Sequence, residues 1–419
     1  MTDKPKTVII GTDGVPFEMI ENFARTGVMP NTARLIADGT FKQMESSIPE
    51  VSSVAWSSMI TGANPAEHGI FGFMELHPNS YRMRFPNYSD LKAPAFWDNR
   101  DGKSVIINVP ATYPVRPMNG VLISGFVSID LNKSVYPPDL VGTLQDFDYR
   151  LDVDAQKARR SMDLFLEDVE ATLQGRIKAY RYLWDYCDWD TFMLVFTGTD
   201  RLLHFLWSAY EDKSHAHHAA FVDHFRKIDE VVGEIAGKLT DDDLLIMHSD
   251  HGFERLDYEV FVNYPLVESS FLQFKQGANP TLENICLGTK AFALDPARIY
   301  LNLRGKYPAG SVDPADAEPI LDEIEDLFGD LEIEGRKVIR DVYRKEDIYT
   351  GPYIDSAGDL TLVANTGFNL KGKIGSDSLY SKGIFTGKHT QDTAFLLIKG
   401  PHDPTKLPDP PKVLSLIHI

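Results

Sequence analysis

The stretch Thr7-Val8-Ile9-Ile10-Gly11-Thr12-Asp13-Gly14 decides how this chain is read. Its apolar, β-branched run is continuous rather than alternating, which is the pattern of a strand buried on both faces of a parallel sheet. Runs of the same kind recur at Lys103–Val109, Thr191–Phe196 and Leu244–Met247. Helical patterns separate them, at Phe17–Thr26, Asn31–Asp38, Ala155–Tyr186 and Phe221–Leu239. Strand and helix in alternation predict an α/β fold with a mostly parallel central sheet flanked by helices. Ligands of such sheets bind beyond the carboxyl ends of the strands. Asp13 stands at such an end, either as a ligand-facing carboxylate or as a turn residue before the helix that starts near Pro16.

Composition narrows the function classes. A chain of 419 residues with 43% hydrophobic and 25% charged residues is an ordinary globular protein, long enough for a large α/β domain with inserted pieces. A formal net charge of −19 excludes a general nucleic-acid surface, which needs basic patches. A small phosphorylated substrate remains open, provided bound cations supply local positive charge. Cys187 and Cys286 are far apart and in no metal-ligand or redox spacing, so a reducing compartment is expected. The opening MTDKPKTVIIGTDG has no long apolar leader, and no run approaches the ~20 residues of a membrane span. These features predict a cytoplasmic protein without a membrane partner.

Other chemistry-bearing residues also adjoin predicted strand or helix ends. In Ile48–Phe73, IPEVSSVAWSSMITGANPAEHGIFGF, Ser52 and Ser53 precede an apolar helical run. A hydroxyl there is either an N-cap or a group placed where helix N–H donors favour an anion. Asp200 and His204 are four apart in TDRLLH, so in a first helical turn they share a face and can share a metal. Asp250 and His251 in SDHGF follow a strand and can give one oxygen and one nitrogen ligand. His389 is expected in a loop after a Gly-rich turn, just before the apolar strand Thr393–Ile398. His68, in a Pro/Gly turn, is expected to be structural, and His215, His217, His218 and His224 to be surface residues.

The organisation expected is one catalytic α/β domain over residues 1–400, with cap-forming insertions at about 74–100 and 254–349. The first insertion is rich in Pro and aromatics, and its Arg82, Arg84 and Lys92 read as solvated charges. In the second, periodicity weakens apart from a strand at Arg298–Leu303 and a helix at Pro314–Phe328. Residues 401–419 form a tail whose last six, LSLIHI, match what a sequencing-adapter end encodes, so an artefactual terminus is expected.

Taken in order, TDG, the block S-x-x-A-W-x-x-x-x-T-G-x-x-P-x-x-H-G-I, TDRLLH, SDHGF and GKH-x-x-D resemble the alkaline phosphatase superfamily. The likeness is to its type I phosphodiesterase/nucleotide pyrophosphatase branch, and it runs from Val8 to about Gly400. It implies one divalent metal held by Asp13, Asp250 and His251 with the Ser52 oxygen, and a second held by Asp200, His204 and His389. Zinc is the implied ion and manganese its competitor. The register of the block selects Ser52 over Ser53 as nucleophile. The implied reaction passes through a phosphoserine intermediate, the first metal activating Ser52 and the second assisting the leaving oxygen and then a water. The sulfatase branch needs Pro and Arg shortly after its nucleophile, which S-S-V-A-W lacks. Nucleotide pyrophosphatases also carry an Asn oxyanion donor where Phe73 stands. The expected activity is therefore a dinuclear-metal phosphodiesterase on a small substrate. The alternatives are a phosphomonoesterase, phosphonate hydrolase or phosphotransferase on the same site, or a non-catalytic phospho-ligand binder.

Overall fold

The computed structural model describes residues 4–98 and 101–418. Asn99, which lies in the first expected insertion, is outside them, as are Met1 to Asp3 and Ile419. The chain divides into two compact units, one of residues up to 63, 87–255 and 384 onward, the other of 64–86 and 256–383.

In the first unit, β1 (Thr7–Thr12) leads to helices α1 (Phe17–Thr26) and α2 (Pro30–Asp38), strand β2 (Thr40–Met44) and helix α3 (Ser52–Thr61). Next come β3 (Ser104–Val109), β4 (Gly120–Ser124), β5 (Val135–Tyr136), the long helix α4 (Met162–Trp184) and β6 (Thr191–Phe196). Helices α5 (Gly198–Glu211) and α6 (His218–Ala236), strand β7 (Leu244–His248), the start of β8 (Gly252–Phe261), whose residues from 256 belong to the second unit, and strands β9 (Gly387–Thr390) and β10 (Ala394–Lys399) complete it. The sheet order is β2-β10-β7-β1-β6-β3-β4-β5. Strands β7, β1, β6, β3 and β4 run parallel, while β10 and β5 run antiparallel to their neighbours on that path. The result is the α/β fold with a mostly parallel sheet that the strand pattern predicts.

Register explains why several chemical groups share one edge. Gly11 of β1 pairs with His248 of β7, and Thr12 pairs with Phe196 of β6. Asp13, Thr197 and Ser249 therefore leave the sheet at nearly the same height, and Asp250 and Asp200 follow within a few residues. The antiparallel β10 enters at this edge, so the residues just before it arrive there too. Gly11 is needed for close approach: a Cβ there would meet the Trp56 indole at 2.5 Å. Gly14 has φ +74°, a left-handed turn that aims the chain away from the sheet, and a Cβ there would strike Phe253.

Three local expectations need correction. Helix α4 begins at Met162 rather than Ala155, because Ser161 caps it by accepting from the Leu164 N–H. Ser52 is the first helical residue of α3, with Val51 in the cap position and no side-chain cap bond. His224 is buried rather than exposed. It shares the inward face of α6 with Phe221, Phe225 and Ile228, where helical spacing outweighs the polar neighbours.

The second unit has its own antiparallel sheet, ordered Ala291–Leu294, Arg298–Leu301, Leu360–Ala364 and Ile339–Arg344. Phe292, Ile299, Ile324, Phe328 and Leu360 are among its core residues. Helix Ala317–Gly329 follows a short turn at Pro314–Asp316. Arg84 is half-buried and ion-paired to Glu75 at 2.7 Å rather than freely solvated. His68 is buried, and its Nδ1 accepts the Ile70 N–H at 3.1 Å, which suits the structural role expected of it. Residues 87–98 belong to the first unit, where the Phe96 N–H donates to Ile60 O at the end of α3.

Candidate active site

All seven residues nominated from the sequence lie in the first unit and come together beyond the strand ends. The Ser52 Oγ, at the start of α3, is 3.4 Å from Asp13 Oδ1 and 3.2 Å from His251 Nε2. His251 Nε2 is also 3.5 Å from Asp13 Oδ1 and 3.4 Å from Asp250 Oδ2. A second group adjoins the first: His389 Nε2 is 3.1 Å from Asp200 Oδ1 and 3.0 Å from His204 Nε2. His204 Nε2 is 3.5 Å from the same Asp200 oxygen, as i,i+4 spacing in the first turn of α5 requires. The rings of His251 and His389 stack with centroids 3.8 Å apart, so the groups share a wall. His389 lies within strand β9, opposite Phe253, and not in a loop.

One regularity runs through the site. Each histidine gives its Nδ1–H to a backbone carbonyl: His204 to Gly387, His251 to Gly252 and His389 to Glu50, at 3.2, 3.1 and 2.9 Å. A carbonyl only accepts, so these contacts fix the Nδ1–H tautomer and leave each neutral Nε2 with a lone pair. Each carboxylate is likewise held by one oxygen. Trp56 Nε1 donates to Asp13 Oδ2 at 3.2 Å, the Gly14 N–H to Asp250 Oδ1 at 3.1 Å, and Arg201 Nη1 to Asp200 Oδ2 at 3.1 Å. Asp13 Oδ1 and Asp250 Oδ2 face the His251 Nε2 lone pair, acceptor against acceptor, whereas Asp200 Oδ1 lies within hydrogen-bond distance of His389 Nε2. Asp250 Oδ2, fully buried, has no hydrogen-bond donor at all. Such an arrangement is repulsive by itself and would be relieved by cations among the facing atoms, so these residues fit divalent metal ions.

The electrostatics of the two groups differ. Burial, with Asp250 and Asp200 nearby, pushes the Asp13 carboxyl well above its ordinary value, and burial chiefly pushes Asp250 up to about 8. Burial and the neighbouring His389 lower His251 to about 4, and burial lowers His389 as well. Asp200 goes the other way: burial would raise it, but His204, His389 and Arg201 together hold it well below the carboxylate range. Among the described residues, Asp13, Asp250 and His251, and also Asp200, His251 and His389, form groups of potential ligand atoms within 4.8 Å of one another.

Three supporting side chains escaped the sequence reading. They are Trp56, which reads only as an apolar helical residue, Arg201, and Thr199, which donates to Asp13 O at 2.7 Å. The tripeptide Thr199-Asp200-Arg201 at a strand end was their one available signal. Ser53, the rival nucleophile, is buried with an Oγ that has no hydrogen-bond partner, whereas Ser52 lies among the acidic and imidazole groups.

Comparison with known proteins gives these residues a context. No curated protein sequence matches the chain. Its fold is similar to that of phosphonoacetate hydrolase from Sinorhizobium meliloti 1021, solved with phosphonoformate, at 15% identity and TM-score 0.64, covering 98% of this chain and 94% of that one. It is also similar to murine ectonucleotide pyrophosphatase/phosphodiesterase 5, at 14% identity and TM-score 0.54, covering 94% and 88%. The profile of the family described as type I phosphodiesterase/nucleotide pyrophosphatase matches residues 7–392. With that span matched, the chain belongs to the type I phosphodiesterase/nucleotide pyrophosphatase family, phosphoryl hydrolases of the alkaline phosphatase superfamily.

Proposed function

We propose that this protein is a phosphodiesterase, acting on a small phosphodiester or pyrophosphate, in which Ser52 is the nucleophile. The observation that carries this reading is the convergence of three carboxylate oxygens and three Nε2 lone pairs around and beside one serine hydroxyl. Asp13, Asp250, His251 and Ser52 would hold one divalent ion, and Asp200, His204 and His389 the other; zinc suits the mixed ligands, with manganese its competitor. When bound, such ions supply the positive charge the site lacks and Lewis-acid assistance to ester cleavage.

The residues of the chain carry the rest. Ser52 Oγ forms the bond to phosphorus while the first ester oxygen departs as an alcohol, taking the proton the serine has lost. Water then attacks the phosphoserine, and one of its protons returns to Ser52. Two in-line displacements retain configuration at phosphorus. The first N–H groups of α3 lack intrahelical partners and are donors for a phosphoryl oxygen. They offer one replacement for the Asn donor whose place Phe73 takes. The two free cysteines support a cytoplasmic setting, and no helix among the described residues is long and apolar enough to cross a membrane.

A second reading, phosphonate hydrolysis, is favoured by the fold likeness to phosphonoacetate hydrolase. Metal-replete protein should be assayed on bis-p-nitrophenyl phosphate, p-nitrophenyl phosphate and phosphonoacetate, beside Ser52→Ala and an EDTA-stripped sample. The proposal expects diester hydrolysis that disappears in both controls. Faster turnover of phosphonoacetate would move the assignment to the second reading, and full activity in Ser52→Ala would remove the nucleophile.

A further inference from the structure

We propose that Arg201 is a positioning residue that sets cation affinity on the Asp200 side of the site. The inference rests on reading Asp200, His204 and His389 as cation ligands. Among the described residues, Asp200 is the one site carboxylate held by an arginine or lysine. Arg201 Nη1 donates to Asp200 Oδ2 at 3.1 Å. Its Nε and Nη2 donate to Asp152 Oδ2 at 3.3 and 2.7 Å, and the Phe126 ring covers the guanidinium carbon at 4.2 Å. Arg201 and Asp152 side chains are only 15% and 19% exposed.

This geometry separates two roles. With donors committed to two carboxylates, Arg201 is neutralised in place and is not the free cation that a phosphate clamp requires. What it does is immobilise Asp200: one oxygen is pinned by a planar donor that Asp152 and Phe126 pin in turn, and the other oxygen is left facing His204 and His389. Outer partners of this kind typically change metal affinity 10–100-fold.

Charge and orientation make opposite predictions for the loss of Arg201. Removing a positive charge beside a cation site would tighten cation binding by Coulomb's law. Removing the brace would weaken it, because Asp200 could then turn away. The brace is expected to dominate, since Asp152 already balances most of the charge.

The test titrates Zn2+ into apo wild type, Arg201→Met, Arg201→Lys and Asp152→Asn, using chelator competition to resolve two sites. The expected result is one site unchanged and the other weakened roughly 10–100-fold in Arg201→Met. Arg201→Lys should recover part of the loss, and Asp152→Asn should show a smaller one. The unchanged site reports that each variant is folded; if Arg201→Met does not fold, the graded losses in the other two carry the test. The kcat/KM of Arg201→Met should return toward wild type as Zn2+ is raised. Tighter or unchanged Zn2+ binding at both sites would overturn the proposal. So would a KM defect that excess Zn2+ does not correct, which would make Arg201 a substrate contact. A protein that binds two ions but cleaves no ester would remove the proposed function and leave this inference standing.

Discussion

The two halves of the site solve the same problem by different means. Around Ser52, the side chains of Asp13, Asp250 and His251 are 0–3% exposed, and their outer atoms are fixed by an indole N–H and by the backbone. Around Asp200, His204 and His389 are 18% and 16% exposed, and the carboxylate is fixed by an arginine. The consequence is electrostatic. In the first half carboxyl groups are pushed upward, and charge is tolerated only with help from an added cation; in the second, Asp200 is already stabilised by its neighbours. On the proposed metal assignment, burial with neutral holders would make the ion of the first half the slower to leave, and partial exposure with a charged holder would make that of the second the faster.

The sharpest way to break this contrast is at the proposed nucleophile, Ser52. Ser52→Ala should lower diesterase kcat by about a thousandfold or more, as loss of a covalent nucleophile does. Ser53→Ala should stay within a few-fold; equal losses would dissolve the special status of the first half. Next is metal removal. Chelator stripping followed by atomic absorption should release the ions in two phases, the faster assigned to the Asp200 half by its disappearance in Asp200→Asn. A faster phase lost instead in Asp13→Asn would invert the comparison.

Smaller effects sharpen it. Trp56→Phe removes the N–H that Asp13 Oδ2 accepts and should weaken the slowly released ion by about tenfold. Gly11→Ala drives a methyl into the Trp56 indole and should cost about 1–3 kcal/mol in denaturant unfolding. A further effect concerns pH. Burial holds His224 down to about 3, below its unfolded value near 6.5. The unfolded chain therefore binds the proton first, and stability falls as pH drops from about 6.5 toward 3. His224→Phe should flatten that acid limb in thermal melts, and an unchanged limb would show that His224 does not contribute to it.

How much of this was legible in the sequence follows from which interactions are local. Asp13, Asp200, Asp250 and His251 could be nominated because a continuous apolar run announces a buried strand, and the residue after it must lie at the sheet edge. Asp200 and His204 carry their shared face in their spacing. The braces were illegible: nothing near Trp56 or Arg201 says that the side chain will reach Asp13 or pack under Phe126, since register and helix packing create those contacts. The burial of His224 is masked in the sequence by the polar string His215 to His218, although its helical spacing places it on the face of Phe221, Phe225 and Ile228. In the second unit the strand at Arg298–Leu301 was legible from its apolar run, but its partner Ala291–Leu294 was not, being four residues long and too short to show a period.

The central claim is that seven side chains of the first unit hold two ions, one of them on the nucleophile. Anomalous diffraction at the zinc edge from crystals of Zn2+-loaded protein tests it most directly. The account predicts two peaks, one bounded by Asp13, Ser52, Asp250 and His251, the other by Asp200, His204 and His389. A single peak, or zinc bound only outside these residues, would contradict it.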